Sequence, residues 1–244
     1  MSLSGTGSSE IFISVVIPTH NEERYLGECL EALQRQTYPQ SAFEVIVVDN
    51  ASTDATPMIA REFRAVVVPE PRISIGRARQ RGAEAAQGEI IASTDADTVV
   101  PPDWLERIAL HFERDDELGA VFGPFYYHDG TVFERVFLWH FNIRVMAALH
   151  TLGRSCFCGN NYAVRKEPFW RAGGCNVSLP AGEDVDLSLR LSKVTRIAFD
   201  SSLAVRTSAR RRGEGYGRIL WRTGRSALRV ILLRRPPDPL PVIR

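Results

Sequence analysis

Residues 11–34 read IFISVVIPTHNEERYLGECLEALQ, and this stretch decides the fold. Ile11–Pro18 is a short, almost wholly apolar run ended by proline, as in a strand buried on both faces of a parallel sheet. Leu26, Cys29, Leu30 and Leu33 recur at i, i+3, i+4 and i+7, an amphipathic helix that stops before Pro39. Outward from there the pattern repeats. Phe43–Val48 predicts a second buried strand ending at Asp49. Asp54 caps a helix over 55–63, with Pro57 in its first turn. Ala65–Val68 predicts a third strand, Ile75–Gln87 a small-residue helix closed by Gly88, and Glu89–Ser93 a fourth strand. This alternation predicts an α/β fold: a mostly parallel, Rossmann-like sheet with helices on both faces.

In such sheets ligands sit beyond the carboxyl ends of the strands. The ends here are polar: Thr19-His20-Asn21-Glu22, Asp49-Asn50-Ala51-Ser52 and Thr94-Asp95-Ala96-Asp97. The second half is less regular. Helices are expected over 103–114, 131–152 (long and amphipathic), 167–172 and 184–193, and a single strand over 119–127. A turn-rich GNN lies at Gly159–Asn161.

Composition sets outer limits. The 244 residues are 44% hydrophobic and 24% charged, ordinary for a globular chain that needs neither disulfide nor metal to fold. The net charge of +1 conceals −8 over residues 1–205 and +9 over 206–244. An acidic body argues against nucleic acid and leaves the basic end to meet an anionic surface. Cys156 and Cys158 do not have the spacing of a structural zinc site; the four cysteines read as small buried thiols of a reducing compartment. MSLSGTGSSE has no signal-peptide pattern and reads as a flexible leader over 1–10. The most apolar run, Val132 to Leu152, is broken by Glu134, Arg135, His140 and Arg144, so no membrane span is expected. The expected location is cytoplasmic, with a peripheral place at the inner membrane face as the alternative.

The commonest phosphate cradles are missing. There is no G-x-x-x-x-G-K-[ST], no G-x-G-x-x-G after the first strand, and no G-x-S-x-G. What stands after an apolar strand is Asp95-Ala96-Asp97. Two carboxylates on one tight turn suit a hard divalent cation carrying phosphate oxygens, although a short acidic pair also caps helices.

Four segments together go further. SVVIPTHNEERYL (Ser14–Leu26), VIVVDNASTDAT (Val45–Thr56), GRARQRGAEAAQGEIIASTDADT (Gly76–Thr98) and AGEDVDLSLRL (Ala181–Leu191) resemble, in order and spacing, the signature of family-2 glycosyltransferases of GT-A fold. The resemblance spans Ile13–Phe199. It implies a domain over 11–205, with a nucleotide-binding half (11–98) and an acceptor half (99–205), followed by a basic tail over 206–244. It also implies inverting transfer of a sugar from a nucleotide diphosphate donor to an acceptor hydroxyl. UDP-sugar is favoured and GDP-sugar is second; the acceptor is a saccharide or lipid-linked, in polysaccharide, glycolipid or cell-envelope synthesis. The cofactor implied is Mn²⁺ or Mg²⁺.

By the same resemblance Asp97 is the direct metal ligand, and Asp95 contacts metal or ribose. Asp49 reads the base, since a carboxylate accepts the N3–H of uracil. Pro18, Thr19, Asn21, Glu22, Ser52 and Ala96 line the nucleotide. Arg77 lies by the diphosphate, and Gly159 and Asn160 approach the donor sugar. Asp184 is the expected general base, with Glu183 and Trp170 on the acceptor side; Trp170 reads equally as packing. Arg79 and Arg81 read as solvated helix positions. Many relatives carry a histidine after the final strand that completes the metal site. Here AVRTSARRR offers Arg206 instead, so either Asp97, phosphates and water hold the metal or an arginine supplies the charge.

Two expectations lie outside this scheme. Arg218, Arg222, Arg225 and Arg229 form one helical stripe that suits an anionic membrane surface, or else a helix packed on the domain or an oligomer contact. A degenerate family member, binding sugar nucleotides without turnover, is the alternative to an enzyme.

Overall fold

A computed structural model describes residues 10–128 and 132–208. The leader up to residue 9 and the Arg218–Arg229 stripe lie outside the described residues. The first half follows the sequence pattern: β1 (Ile13–Thr19), α1 (Leu26–Gln34), β2 (Phe43–Asp49), α2 (Thr56–Glu62), β3 (Val66–Pro69), α3 (Ile75–Ala85) and β4 (Ile90–Ser93). Then come β5 (Thr98–Val99), α4 (Trp104–Arg114), β6 (Leu118–Phe122), β7 (Phe125–Tyr127) and α5 (Val132–Thr151). β8 (Tyr162–Arg165), α6 (Lys166–Arg171), α7 (Glu183–Leu191), β9 (Arg196–Phe199) and β10 (Val205–Thr207) complete the order.

The main sheet runs β3-β2-β1-β4-β8-β6-β9. β1 lies parallel to β2 and to β4, and β2 parallel to β3; β8 is antiparallel to both its neighbours. Alternate residues of β1 feed two cores. Ile13, Val15 and Ile17 pack with Leu30 and Leu33 of α1 and with Leu105 and Ile108 of α4. Val16 joins Ala78 and Ala83 of α3 and Leu187 and Leu191 of α7 on the other face. α3 comes close because Gly82 carries no side chain: a Cβ there would overlap Val16 and stand 3.0 Å from Val48.

Two expectations are corrected. The strand expected over 119–127 is two strands in different sheets, broken at Gly123-Pro124. Gly123 has no room for a Cβ against the Leu203 carbonyl, and Asn161 Nδ2 donates to the carbonyls of Pro124 (2.9 Å) and Leu203 (2.6 Å) at this break. The helix over 132–151 does not gather its apolar residues on one face as expected. β10, with β5 and β7, forms a second, small sheet. Among the described residues no helix is long and apolar enough to cross a membrane.

Register places the polar ends together. Thr19 pairs with Asp49, and Ser93 pairs with Val16 of β1, so the three loops leave one edge on either side of the β1–β4 switch point. Because β8 is antiparallel and Tyr162 pairs with Ser93, Gly159 and Asn160 enter the sheet at that same edge.

Candidate active site

The β1 and β2 loops are stitched to each other. Pro18 lies buried in β1 opposite Val48, and Thr19 Oγ1 donates to the Val48 carbonyl at 2.9 Å. Asn21 and Ala51 both adopt left-handed backbone, φ 56° and 58°. Asn21 N–H donates to Ser52 Oγ (3.1 Å), and its Oδ1 accepts from Thr53 N–H (2.8 Å). Glu22 N–H donates to Thr56 Oγ1 at 2.7 Å. Asp49 Oδ1 accepts from Ser52 N–H at 3.0 Å. Asn50 secures the third loop, donating to the Glu70 and Arg72 carbonyls and accepting from Ser74 N–H. Asn21 and Ser52 therefore build the rim that frames Asp49.

Arg77, in the first turn of α3, is half-buried, and its guanidinium has no ion-pair partner among the described residues. Arg79 corrects the sequence expectation. Arg81 is on the surface with Glu84, as expected, but Arg79 is only 4% exposed. Its guanidinium pairs with Asp95 Oδ1 (2.6 Å) and with Glu183 Oε1. Burial pulls the guanidinium down, but Asp95 and Glu183 outweigh it and hold Arg79 above its ordinary value. Deleting one member of such a pair typically costs about 3–5 kcal/mol, because a buried charge is left unmatched.

α7 opens on Gly182 in left-handed backbone (φ 77°), which turns Glu183 inward. Asp184 Oδ2 accepts from Gly159 N–H at 2.7 Å, and Oδ1 accepts from Val185 N–H at 2.8 Å. Burial, with Glu183 beside it, pushes the Asp184 carboxyl up to about 7 against the pull of Arg79 and these two N–H groups. Gly159 is fixed by Ser93 Oγ, which donates to its carbonyl at 2.8 Å, and the Arg79 guanidinium fills the space a side chain would need. Asn160 is 7% exposed, and its Oδ1 has no partner among the described residues. Asn161 is structural, accepting from Trp104 Nε1 at 3.0 Å.

Asp97 ends the D-x-D turn beside β10. Its carbonyl accepts from Ser208 N–H at 3.1 Å, and Thr207 Oγ1 stands 3.4 Å from its Oδ1. Ala96 between the two aspartates is buried. Arg206 pairs with Glu28 of α1 at 2.6 Å. Among the described residues no three His, Cys, Asp or Glu side chains group to hold a metal. Asp95 and Asp97 supply carboxylates of the kind a hard cation takes, Asp95 with its Oδ1 on Arg79. The cysteines are free; burial pushes Cys156 up to about 12 and Cys158 well above its ordinary value, which leaves them as thiols.

Trp170 is not brought to this site. It is 40% exposed, with its ring 5.0 Å from that of Phe169. α6 starts from the opposite edge of the sheet, where Lys166 N–H donates to the Glu89 carbonyl.

The site thus joins the loops after β1, β2 and β4 to the start of α7. Residues 14–173 match Glycosyl transferase family 2, and the chain belongs to that family. The fold is the GT-A fold of its structural neighbours. Over 102 residues the chain is 40% identical to glycosyltransferase AglE of Haloferax volcanii, covering 39% of this chain and 34% of AglE. The match therefore spans about a third of that relative's length. Mannosyltransferase PcManGT from Pyrobaculum calidifontis, in complex with GDP-Man and Mn²⁺, superposes with a TM-score of 0.70 at 24% identity, covering 95% of this chain and 67% of that one. Residues 1–349 of TarS from S. aureus, in complex with UDP-GlcNAc, give 0.67 at 22% identity, over 84% of this chain and 60% of that one.

Proposed function

We propose that the chain is an inverting glycosyltransferase that moves a sugar from a nucleotide diphosphate donor, UDP-sugar before GDP-sugar, to the hydroxyl of a saccharide or lipid-linked acceptor. The observation that carries this reading is the meeting of Asp184 with Gly159 N–H at the same sheet edge as Asp49, Asp95 and Asp97. The acceptor oxygen attacks the anomeric carbon while the bond from that carbon to the diphosphate breaks. The electron pair leaves with the diphosphate, and the hydroxyl proton passes to Asp184. A base poised near neutrality is suited to that transfer.

Asp97, with Asp95, would hold Mn²⁺ or Mg²⁺. The ion would supply positive charge to the departing diphosphate. Arg77 is the cation at hand for the same phosphates, whereas Arg206 is matched by Glu28. Asp49, framed by Ser52, supports uracil recognition. The basic stretch beyond Ser208 is proposed as a contact to an anionic membrane surface, which suits a lipid-linked acceptor.

Calorimetric binding of UDP, GDP, dTDP and CDP, each with Mn²⁺ and then with chelator, tests the donor site. Binding of one nucleotide that weakens on chelation supports the reading. Binding of none of them, with no turnover, would replace the enzyme by the degenerate, non-catalytic alternative.

A further inference from the structure

The Arg79 side chain reaches nothing outside the protein. It is buried, and its guanidinium is spent on Asp95 at the end of β4 and on Glu183 at the start of α7. It also packs flat against Gly159, whose N–H holds Asp184. One side chain therefore touches the D-x-D turn, the loop entering β8 and the first turn of α7. We propose that Arg79 is a positioning residue that fixes the Asp184 carboxylate relative to Asp95 by bridging Asp95 and Glu183 across the site. The catalytic part of this proposal rests on the reading of Asp184 as general base; the bridge itself does not.

The charges around Asp184 make the idea testable. Glu183 neighbours it on α7, Arg79 faces it from α3, and Asp95 stands behind Arg79. Tyr162 of β8 and Cys156, Cys158 and Cys175 of the flanking loops also face it, all held protonated by burial. Among these neighbours Arg79 is the cation acting on Asp184 and Glu183 the anion. Changing either moves the carboxyl in opposite directions.

The Asp184 carboxyl is followed by ¹³C NMR in the full chain and in R79M, E183Q and R79M/E183Q. Its midpoint is expected to move up by about one pH unit in R79M and down by a similar amount in E183Q. In the double variant it returns close to the wild-type value. Turnover in R79M falls by about 10²-fold as the base loses its place, while the Kd for the bound nucleoside diphosphate stays within about threefold.

A midpoint that stays put in variants melting like the wild type overturns the bridge. So does an R79M variant whose loss lies wholly in nucleotide affinity, which would make Arg79 a donor contact. If R79M does not fold, E183Q decides through turnover: a fall of about 10²-fold at an unchanged nucleotide Kd supports the bridge, and wild-type turnover overturns it. If the midpoints move as stated but D184N turns over normally, the bridge stands and the assignment of the base fails.

Discussion

Asp184 and Gly159 are joined by a 2.7 Å hydrogen bond from the glycine N–H to Oδ2, which ties the start of α7 to the loop that enters β8. The bond exists because two elements arrive at one edge by different routes. α7 starts there after Gly182 reverses the chain, and β8 starts there because it runs antiparallel to β4. The same glycine is the floor on which Arg79 lies. Asp184 is thus held by backbone on one side and by charge on the other.

Gly159→Ala tests that floor. The added methyl overlaps the Arg79 guanidinium, so the arginine must shift and release Asp95 or Glu183. Turnover is expected to fall by about 10²-fold, the cost of an ångström-scale displacement of reacting groups. Stopped or coupled assays alongside a melting curve check it; full activity in a folded variant would show that the site tolerates the shift.

The raised Asp184 carboxyl makes a signed statement about pH. Its ordinary value is 3.8 and its value in the fold is about 7, so the native state binds the extra proton between these. Stability from this group is therefore greatest at low pH and falls as pH rises from about 4 to 7, by the linkage of proton binding to folding. In D184N that fall is absent. The difference in Tm between D184N and wild type is expected to grow in favour of D184N from pH 5 to pH 8. A difference flat with pH would contradict the assigned environment. In the active enzyme the acidic limb of kcat/KM is expected near pH 7.

Most of the nucleotide half was legible because its strands are short apolar runs with polar ends and its helices carry clean i, i+3, i+4 spacing. What escaped was set by partners distant in sequence. β8 is only Tyr162–Arg165, and its strand state depends on pairing with β4 and β6. Arg79 stands between Arg77 and Arg81, a charge run that suggests a solvated face, although Gly76, Gly82, Ala83 and Ala86 flank it at helical spacing, a stripe of small residues that packs against the protein. The aspartates Asp49, Asp95 and Asp97 were visible from their place after apolar strands. The ties of Asn21 to Ser52 and Thr53 depend on left-handed backbone that residue type suggests only weakly.

Asp97→Ala separates chemistry from folding. Its backbone carbonyl accepts from Ser208 N–H beside β10, and the substitution keeps that bond. Stability is expected to change by no more than about 1 kcal/mol, the range of ordinary substitutions. Turnover is expected to vanish, and nucleotide binding to lose its response to Mn²⁺ in calorimetry. Near-normal turnover would remove Asp97 from the metal role.

Two glycine-to-alanine exchanges test how closely α3 approaches the sheet. At Gly82 a methyl overlaps Val16 Cγ1 and crowds Val48, both within β-strands that cannot move independently. Overpacking of this kind costs about 1–3 kcal/mol, and alanine's better helix propensity returns up to about 1 kcal/mol. At Gly27 in α1 nothing lies within 4 Å of the new methyl. There only the propensity acts, and the variant is expected to gain about 0.5–1 kcal/mol. Each kcal/mol moves Tm by about 2–4 °C in a chain of this size. Thermal melts of the two variants should therefore shift in opposite directions. A Gly82→Ala protein as stable as Gly27→Ala would mean that α3 stands further from β1 than its packing against Val16 indicates.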